Sequence, residues 1–333
     1  DVCYARRVVL ATGIEGSGAW HIPEFIRSQI PRRLYAHTSE YIDFERLAGR
    51  SVGVLGAGAS AFDNAATALE CGAREVHLFF RRRALPRVNP YRWMEFTGFL
   101  KHFADLDDAV RWRMMNHIFS INQPPPQDTF ERATRFPNFR IHPGCPWTGA
   151  AVDSDRVRVL TPNGAHTFDF LIIGTGFVVD LAARPELAPF ASEIALWSDR
   201  YRPEAGEENP SLASYPYLGG HFEFTEKQPG RAPYLKHIFN FTFGATVSMG
   251  LGGASISGMK YGVARLVAGI TRSLFLEDGE DYCRSLLEYD QPELQAEAGP
   301  VEECAAGEVN GVGSAHDPRV GYVPRLSGGG HGG

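Results

Sequence analysis

Five cysteines are present (Cys3, Cys71, Cys145, Cys283 and Cys304), and no two of them form a C-x-x-C pair. That absence excludes thioredoxin-like dithiol chemistry and the usual zinc-knuckle spacing. His21, His102, His117, His142, His221 and His237 show no metal-ligand spacing either, so no metal is expected. An odd, scattered set of thiols suits a reduced, cytoplasmic setting. No apolar run reaches the length of a membrane span, since the best stretch, 168–179, is broken by Asp169. No signal peptide is visible, and the chain opens on Asp1 rather than Met. Basic charge is also in short supply. With 33 Lys+Arg against 39 Asp+Glu the net charge is −6, which argues against a general nucleic-acid binder. What remains, 44% hydrophobic and 22% charged residues, is an ordinary globular composition. At roughly 150 residues per domain, 333 residues suggest two domains.

The chain divides into four stretches. Residues 1–33 begin with an apolar strand, Arg7-Val8-Val9-Leu10, running into Ala11-Thr12-Gly13. Residues 34–176 hold a strand, Gly loop, helix and strand, then a helical insert with Trp93, Met94, Trp112, Met114 and Met115 as core or channel wall. They end in a hairpin whose Asn163-Gly164 pair is a strong turn signal between Arg156–Leu160 and His166–Phe170. The second strand is expected to continue through Leu171-Ile172-Ile173 to Gly174-Thr175-Gly176. Residues 177–290 are rich in aromatics and glycine and finish in helices, while 291–333 have too few apolar residues for a core and read as a disordered tail.

The most informative motif follows the buried strand Ser51-Val52-Gly53-Val54-Leu55. Gly56-Ala57-Gly58-Ala59-Ser60-Ala61 is G-x-G-x-x-A, the dinucleotide fingerprint. Gly56 permits a tight turn, Gly58 lets a pyrophosphate approach the backbone, and Ala61 keeps the helix close to the sheet. Free N–H groups at the helix start would hold the phosphates. The alternative is a Gly-rich turn that only packs. At the end of the next strand, where an NAD site usually has an acid, stand Arg81-Arg82-Arg83. Arg81 and Arg82 therefore favour a 2′-phosphate, hence NADP(H), against the alternative of a solvated basic turn.

Two strand-ending turns, Ala11-Thr12-Gly13 and Gly174-Thr175-Gly176-Phe177, bracket this unit. Together with Asp169, Ile172 and Asp180, and with His37-Thr38-Ser39 through Tyr41 shortly before the Gly loop, the arrangement resembles the bacterial flavin-containing monooxygenases, two-dinucleotide-binding flavoproteins. The resemblance implies an α/β fold in which a Rossmann-like NADP-binding domain, 34–176, interrupts an FAD-binding domain. The chain holds 1–33 as remnant and linker and 177–290 as return segment. It implies the cofactors FAD and NADP(H), with a small-molecule substrate and O2 as partners. NADPH would reduce the flavin, O2 would be activated as a flavin C4a-(hydro)peroxide, and one oxygen would enter the substrate. Ala11, Thr12, Gly13, His37, Ser39, Gly174, Thr175, Gly176, Ser248, Gly250 and Leu251 are the further candidate cofactor residues; the polar lining would include His37, Thr38 and Ser39 near the domain crossing and Asn240 and Ser248 in the aromatic return segment. No catalytic residue is assigned, because the flavin does the hard step. The upstream FAD fingerprint is missing, so an N-terminally truncated piece is expected. A reductase or oxidase without oxygenation, or a non-catalytic NADP-binding module, are the alternative readings. The oligomeric state is not written in the sequence.

Overall fold

The computed structural model describes residues 2–253 and 255–293, in two units, Asp1–Gly279 and Glu280–Gly333. Beyond position 293 the expected tail, 291–333, lies outside the described residues. The second unit holds most of the helix Gly279–Leu287, whose first turn carries Glu280 and Asp281 and so suits the positive end of the helix dipole.

The strands of the first unit are β1 (Val8–Leu10), β2 (Gly18–Trp20), β3 (Tyr35–His37), β4 (Ser51–Leu55), β5 (Glu75–Phe79), β6 (Phe139–His142), β7 (Gly149–Asp153), β8 (Arg156–Thr161), β9 (Gly164–Phe168), β10 (Phe170–Ile173), β11 (Phe177–Val179) and β12 (Ile238–Asn240). A five-stranded parallel sheet runs β3-β10-β4-β5-β6. Its central strands β4 and β10 are almost wholly apolar because both faces are covered, while β5 and β6 carry Glu75, His77, Arg140 and His142. On one face Val52, Val54, Val76, Leu78 and Ile172 meet Phe62, Ala65, Ala66 and Leu69 of the helix Ala59–Glu70. On the other, Tyr35, Phe79, Leu171 and Ile173 meet Trp147, Val157, Val159 and Phe168 of the antiparallel meander β7-β8-β9 and its approach. Gly72, with φ +85, ends the helix as expected of a glycine just past the last turn.

Two sequence expectations shift. β8 and β9 pair Thr161 with Gly164, so the two-residue turn is Pro162-Asn163, one position earlier than expected. Thr161 closes it locally: its Oγ1 donates to the Gly164 carbonyl (2.8 Å) and accepts from Asn163 N (3.3 Å). The second hairpin strand also does not run on into Leu171. Asp169 interrupts it, because its carboxylate accepts from Ser51 N (2.7 Å) and pairs with Arg156 (3.0 Å). β9 therefore ends in the meander, and β10 enters the parallel sheet.

The helical insert packs elsewhere than on the parallel sheet. Helices Pro90–Trp93, Thr97–His102 and Asp108–Ile121 bury Met94, Phe99, Phe103, Trp112, Met115 and Ile118 against Val179, Trp197, Leu212, Tyr215, Val247 and Leu251. Trp93 is exposed. Residues 1–33 join the return segment through two pairs, β1 with β12 in parallel and β2 with β11 antiparallel.

Candidate cofactor-binding site

The candidate residues gather at the carboxyl ends of β4, β10 and β3, where open α/β sheets bind ligands. β4 ends in Gly56, whose φ of +128 a side chain rarely adopts; a Cβ there would also lie 2.1 Å from the Gly174 carbonyl oxygen. Gly56 thus lets the Gly loop lie against the turn leaving β10. Ala61 packs on the same turn, with its Cβ 2.9 Å from where a Cβ on Gly174 would sit. Gly58 differs, since a Cβ there would meet nothing within 4 Å. Gly58 is the N-cap of the helix Ala59–Glu70, no side chain caps the helix start, and no acid lies in its first turn. Ala59 and Ser60 are exposed at that start. The first N–H groups of a twelve-residue helix are therefore offered outward over free space, which fits a phosphate.

Beside it, the turn Gly174-Thr175-Gly176 is clamped to the strand before it in space. Thr175 Oγ1 donates to the His21 carbonyl, and His21 N donates to the Gly176 carbonyl (2.8 Å). His37 ends β3 and is fully buried. Ser39 N donates to its Nδ1 (3.2 Å), with Ser39 Oγ 2.8 Å from the same atom, which assigns the ring proton to Nε2. That Nε2 is buried and completes no hydrogen bond, although the Gly176 carbonyl lies near it. Burial holds the His37 pKa below its ordinary value, so the ring is neutral at pH 7.

Ala11, Thr12 and Gly13 are exposed and leave β1, on the separate β1–β12 pair. They meet the Gly174–Gly176 turn indirectly, because the two turns feed the paired strands β2 and β11. Next to them a second buried donor is orphaned. Asn240 Oδ1 accepts from Ser17 Oγ (3.2 Å) and Thr242 Oγ1 (2.7 Å), while its Nδ2 has no partner.

Three other candidates serve packing. Ser248 Oγ accepts from Trp197 Nε1 (3.0 Å) and Leu218 N (3.1 Å) and donates to the Pro216 carbonyl (3.1 Å), which uses all its bonding capacity. Gly250 lies against Phe103, and Leu251 is part of the apolar cluster of the insert. The helix that follows is capped by Ser255, whose Oγ accepts from Gly258 N (3.0 Å).

The arginines are sorted by the fold. Arg82 caps the helix Asp108–Ile121, donating to the Ile121 (2.8 Å) and Ser120 (2.9 Å) carbonyls, and Arg81 is exposed. Beyond the carboxyl ends of β5 and β6 lies an open groove of about 960 Å³. Arg83, Arg87 and Arg92 line it, with Leu85, Phe130 and Ile141 as apolar wall and, among the described residues, no Asp or Glu. Phe130 touches Phe62 of the Gly-loop helix at a ring distance of 5.6 Å. Sequence reasoning stopped at Arg81 and Arg82. The missed signal is that 81–94 contains five arginines and no acid.

This combination defines the class. A parallel sheet with a Gly loop at β4, interrupting a region that residues 1–33 share with the return segment, is the α/β fold of the two-dinucleotide-binding flavoproteins. The chain superposes with L-lysine 6-monooxygenase from Pseudomonas syringae with a TM-score of 0.58, over 80% of this chain and 64% of that one, at 17% identity. With the FAD-bound cadaverine monooxygenase of desferrioxamine biosynthesis from Erwinia amylovora the TM-score is 0.55, over 80% and 60%, at 15% identity. In sequence the chain is similar to the FAD-dependent urate hydroxylase of Xanthomonas campestris pv. campestris, 47% identical over 290 residues, or 87% of this chain. It spans 61% of that relative's length. No family model matches. The resemblance to flavin monooxygenases read from the motifs is borne out at the level of fold and sequence likeness. No helix of the described residues is long and apolar enough to cross a membrane.

Proposed function

We propose that this chain is the NADPH-binding and substrate-facing part of an FAD-dependent monooxygenase acting on a small molecule. One observation carries the reading: the uncapped helix start over free space at Gly58, followed along the sheet edge by a groove with three guanidiniums and no carboxylate. The helix N–H groups would take the pyrophosphate, and Arg83, Arg87 and Arg92, with Arg81 beside them, would take the 2′-phosphate. The likeness to a urate hydroxylase supports a flavin partner and makes urate the first substrate to test.

The residues present also fit a second dinucleotide. Asn240 Nδ2 is a buried donor without a partner beside the first bracketing turn, while His37 Nε2 faces the Gly176 carbonyl of the second without completing a hydrogen bond to it. Leaving such donors unpaired costs on the order of 1–3 kcal/mol each, which a bound cofactor with acceptor atoms would recover. Flavin chemistry supplies electron transfer from NADPH to O2 when the group is bound. The chain's own part is to orient the rings and keep water out. Neutral His37 would hold its Nε2 proton toward an acceptor without introducing charge.

The test is urate turnover with NADPH and FAD under ¹⁸O2. Labelled product supports oxygenation. NADPH oxidation that yields peroxide and unlabelled urate overturns it in favour of a reductase or oxidase. Failure to bind NADPH removes the reading altogether.

A further inference from the structure

A second groove, of about 780 Å³, has no part in the cofactor reading, although it is the size of a small-molecule site. It runs along the edge strand β3 to the amino ends of β10 and β4, where Asp169 and Arg50 stand. The Gly loop lies at the other end of the sheet, and none of the candidate cofactor residues lines this groove.

Four arginines and three acids line it, and the fold pairs them unequally. Glu40 is taken up by Arg32 (2.5 Å) and by the backbone N–H of His37 (2.7 Å). Asp169 is held by Ser51 N and Arg156. Only Asp43 is left over, exposed to water. On the cationic side, Arg33 reaches Asp155 at 3.5 Å through two exposed side chains. Arg46 and Arg50 make no ion pair and no side-chain hydrogen bond among the described residues. Cationic groups therefore stay in excess.

The backbone that carries these two arginines is nevertheless fixed. Leu47, between them, is buried in the core of the sheet and its helix. Arg50 N donates to the Leu47 carbonyl (3.0 Å), Gly49 N to the Gly72 carbonyl (2.8 Å), and Arg74 N to the Arg50 carbonyl (2.8 Å). Part of the ordering cost of a ligand is thus met in advance. The groove also holds two tyrosines in opposite states. The Tyr35 ring is buried and has the Arg32 guanidinium 4.5 Å from its centre. Tyr41, the last residue of the His37–Tyr41 motif, is 91% exposed and leaves its ring face open to water.

We propose that Arg46, Arg50 and Tyr41 form a second ligand site, for a nucleoside monophosphate. Two free guanidiniums match the planar forks and the charge of nearly two that a phosphate monoester carries at pH 7, which a single carboxylate does not. An open aromatic face beside them stacks on a base of any kind. The site stands independently of the monooxygenase reading. Because it lies away from the Gly loop, it can be filled while NADPH occupies the other end of the sheet.

The experiment is equilibrium dialysis of adenosine 5′-monophosphate (AMP) against the full chain, with and without NADPH at saturation. AMP should bind the parent equally in both. Arg46→Ala and Arg50→Ala should each weaken it about tenfold, and Tyr41→Ala about fivefold. Ribose 5-phosphate should bind about fivefold more weakly than AMP and should not respond to Tyr41→Ala. Arg202→Ala, which removes an exposed arginine outside the groove, should leave AMP within about twofold. Melting temperatures should stay as in the parent, since the altered side chains hold nothing in the fold. No AMP binding by the parent, displacement of AMP by NADPH, or equal losses in Arg46→Ala and Arg202→Ala would each overturn the site. Ribose 5-phosphate that binds as well as AMP would overturn its assignment to a nucleotide.

Discussion

At Gly58 an added Cβ would meet nothing within 4 Å, whereas at Gly262 it would lie 2.2 Å from the Gly252 carbonyl oxygen and at Gly258 2.4 Å from the Leu251 carbonyl oxygen. The first is a glycine-rich turn leading into a helix; Gly258 and Gly262 lie in the first turns of the helix Ile256–Glu277, just after the glycine-rich turn at Gly250, where a cofactor was also expected. In one the missing side chain leaves room for something outside the chain; in the other the chain's own backbone fills the room. The helix starts differ in the same way. No side chain caps the helix Ala59–Glu70, while Ser255 caps the helix Ile256–Glu277. Glycine content alone cannot tell a cradle from a close packing contact; the atoms on the far side decide.

The strongest way to break this comparison is Gly262→Ala. Its Cβ would overlap fixed backbone, not the tip of a flexible side chain, so a loss of about 3 kcal/mol or more is expected. Denaturant unfolding would measure it, and NADPH affinity of the folded fraction should not change. A stable Gly262→Ala protein with weakened NADPH binding would mean that the start of the helix Ile256–Glu277 is a cradle after all.

Reversing the groove, with Arg83→Glu, Arg87→Glu and Arg92→Glu together, should lower NADPH affinity about a hundredfold and leave NADH within about twofold, since a 2′-phosphate gains charge-assisted bonds that a hydroxyl lacks. Fluorescence titration with both nucleotides gives the ratio. An equal loss for both would place the 2′-phosphate elsewhere. Arg82→Ala is the control: tied to the Ile121 and Ser120 carbonyls, it should cost stability rather than selectivity.

How much of this was legible follows the same line. β4, the Gly loop and the helix face Phe62, Ala65, Ala66 and Leu69 could be read because each depends on neighbours in sequence. The turn at Pro162-Asn163, the break at Asp169 and the destination of the insert could not. The break and the insert's destination are set by Ser51 and the return segment, far away along the chain, whereas the turn is closed by the neighbouring Thr161, whose hydroxyl outweighs the Asn-Gly signal. Likewise Arg81 and Arg82 lie at the expected position, but whether a guanidinium is free depends on the end of a helix some 40 residues on (|i−j| = 39 for Arg82 and Ile121).

The sheet under the Gly loop also rests on a titratable layer. His77 and His142 stack with Phe79 and lie against His166 of the meander, with His142 Nε2 3.1 Å from His77 Nδ1. Glu75 faces His77 at 3.4 Å, and Arg140 and His166 oppose the charge of both rings. Burial, then the neighbouring cations, lowers both, His142 to about 4. The unfolded chain therefore takes up these protons first, and stability present above the ordinary histidine value is lost as pH falls toward 4. Allowing for partial solvent exposure, a loss of about 2 kcal/mol between pH 7 and 4 is expected from His142, with His77 acting in the same direction. His142→Phe should remove much of that slope in denaturation curves; an unchanged slope would show that the acid sensitivity lies elsewhere.

The smallest effect is the most discriminating. Gly58 has φ −78, open to any residue, and empty space at its Cβ position, so Gly58→Ala should leave stability within about 0.5 kcal/mol. A methyl group there would nevertheless stand where a phosphate approaches the helix N–H groups, and NADPH should bind about tenfold more weakly. Stability and affinity would thus separate at Gly58 in the opposite sense to Gly262. If Gly58→Ala binds NADPH as the parent does, the free space at that helix start is only a gap in the surface. The phosphate assignment would then have to move to the groove alone, where the three arginines could still hold the 2′-phosphate but nothing would fix the pyrophosphate.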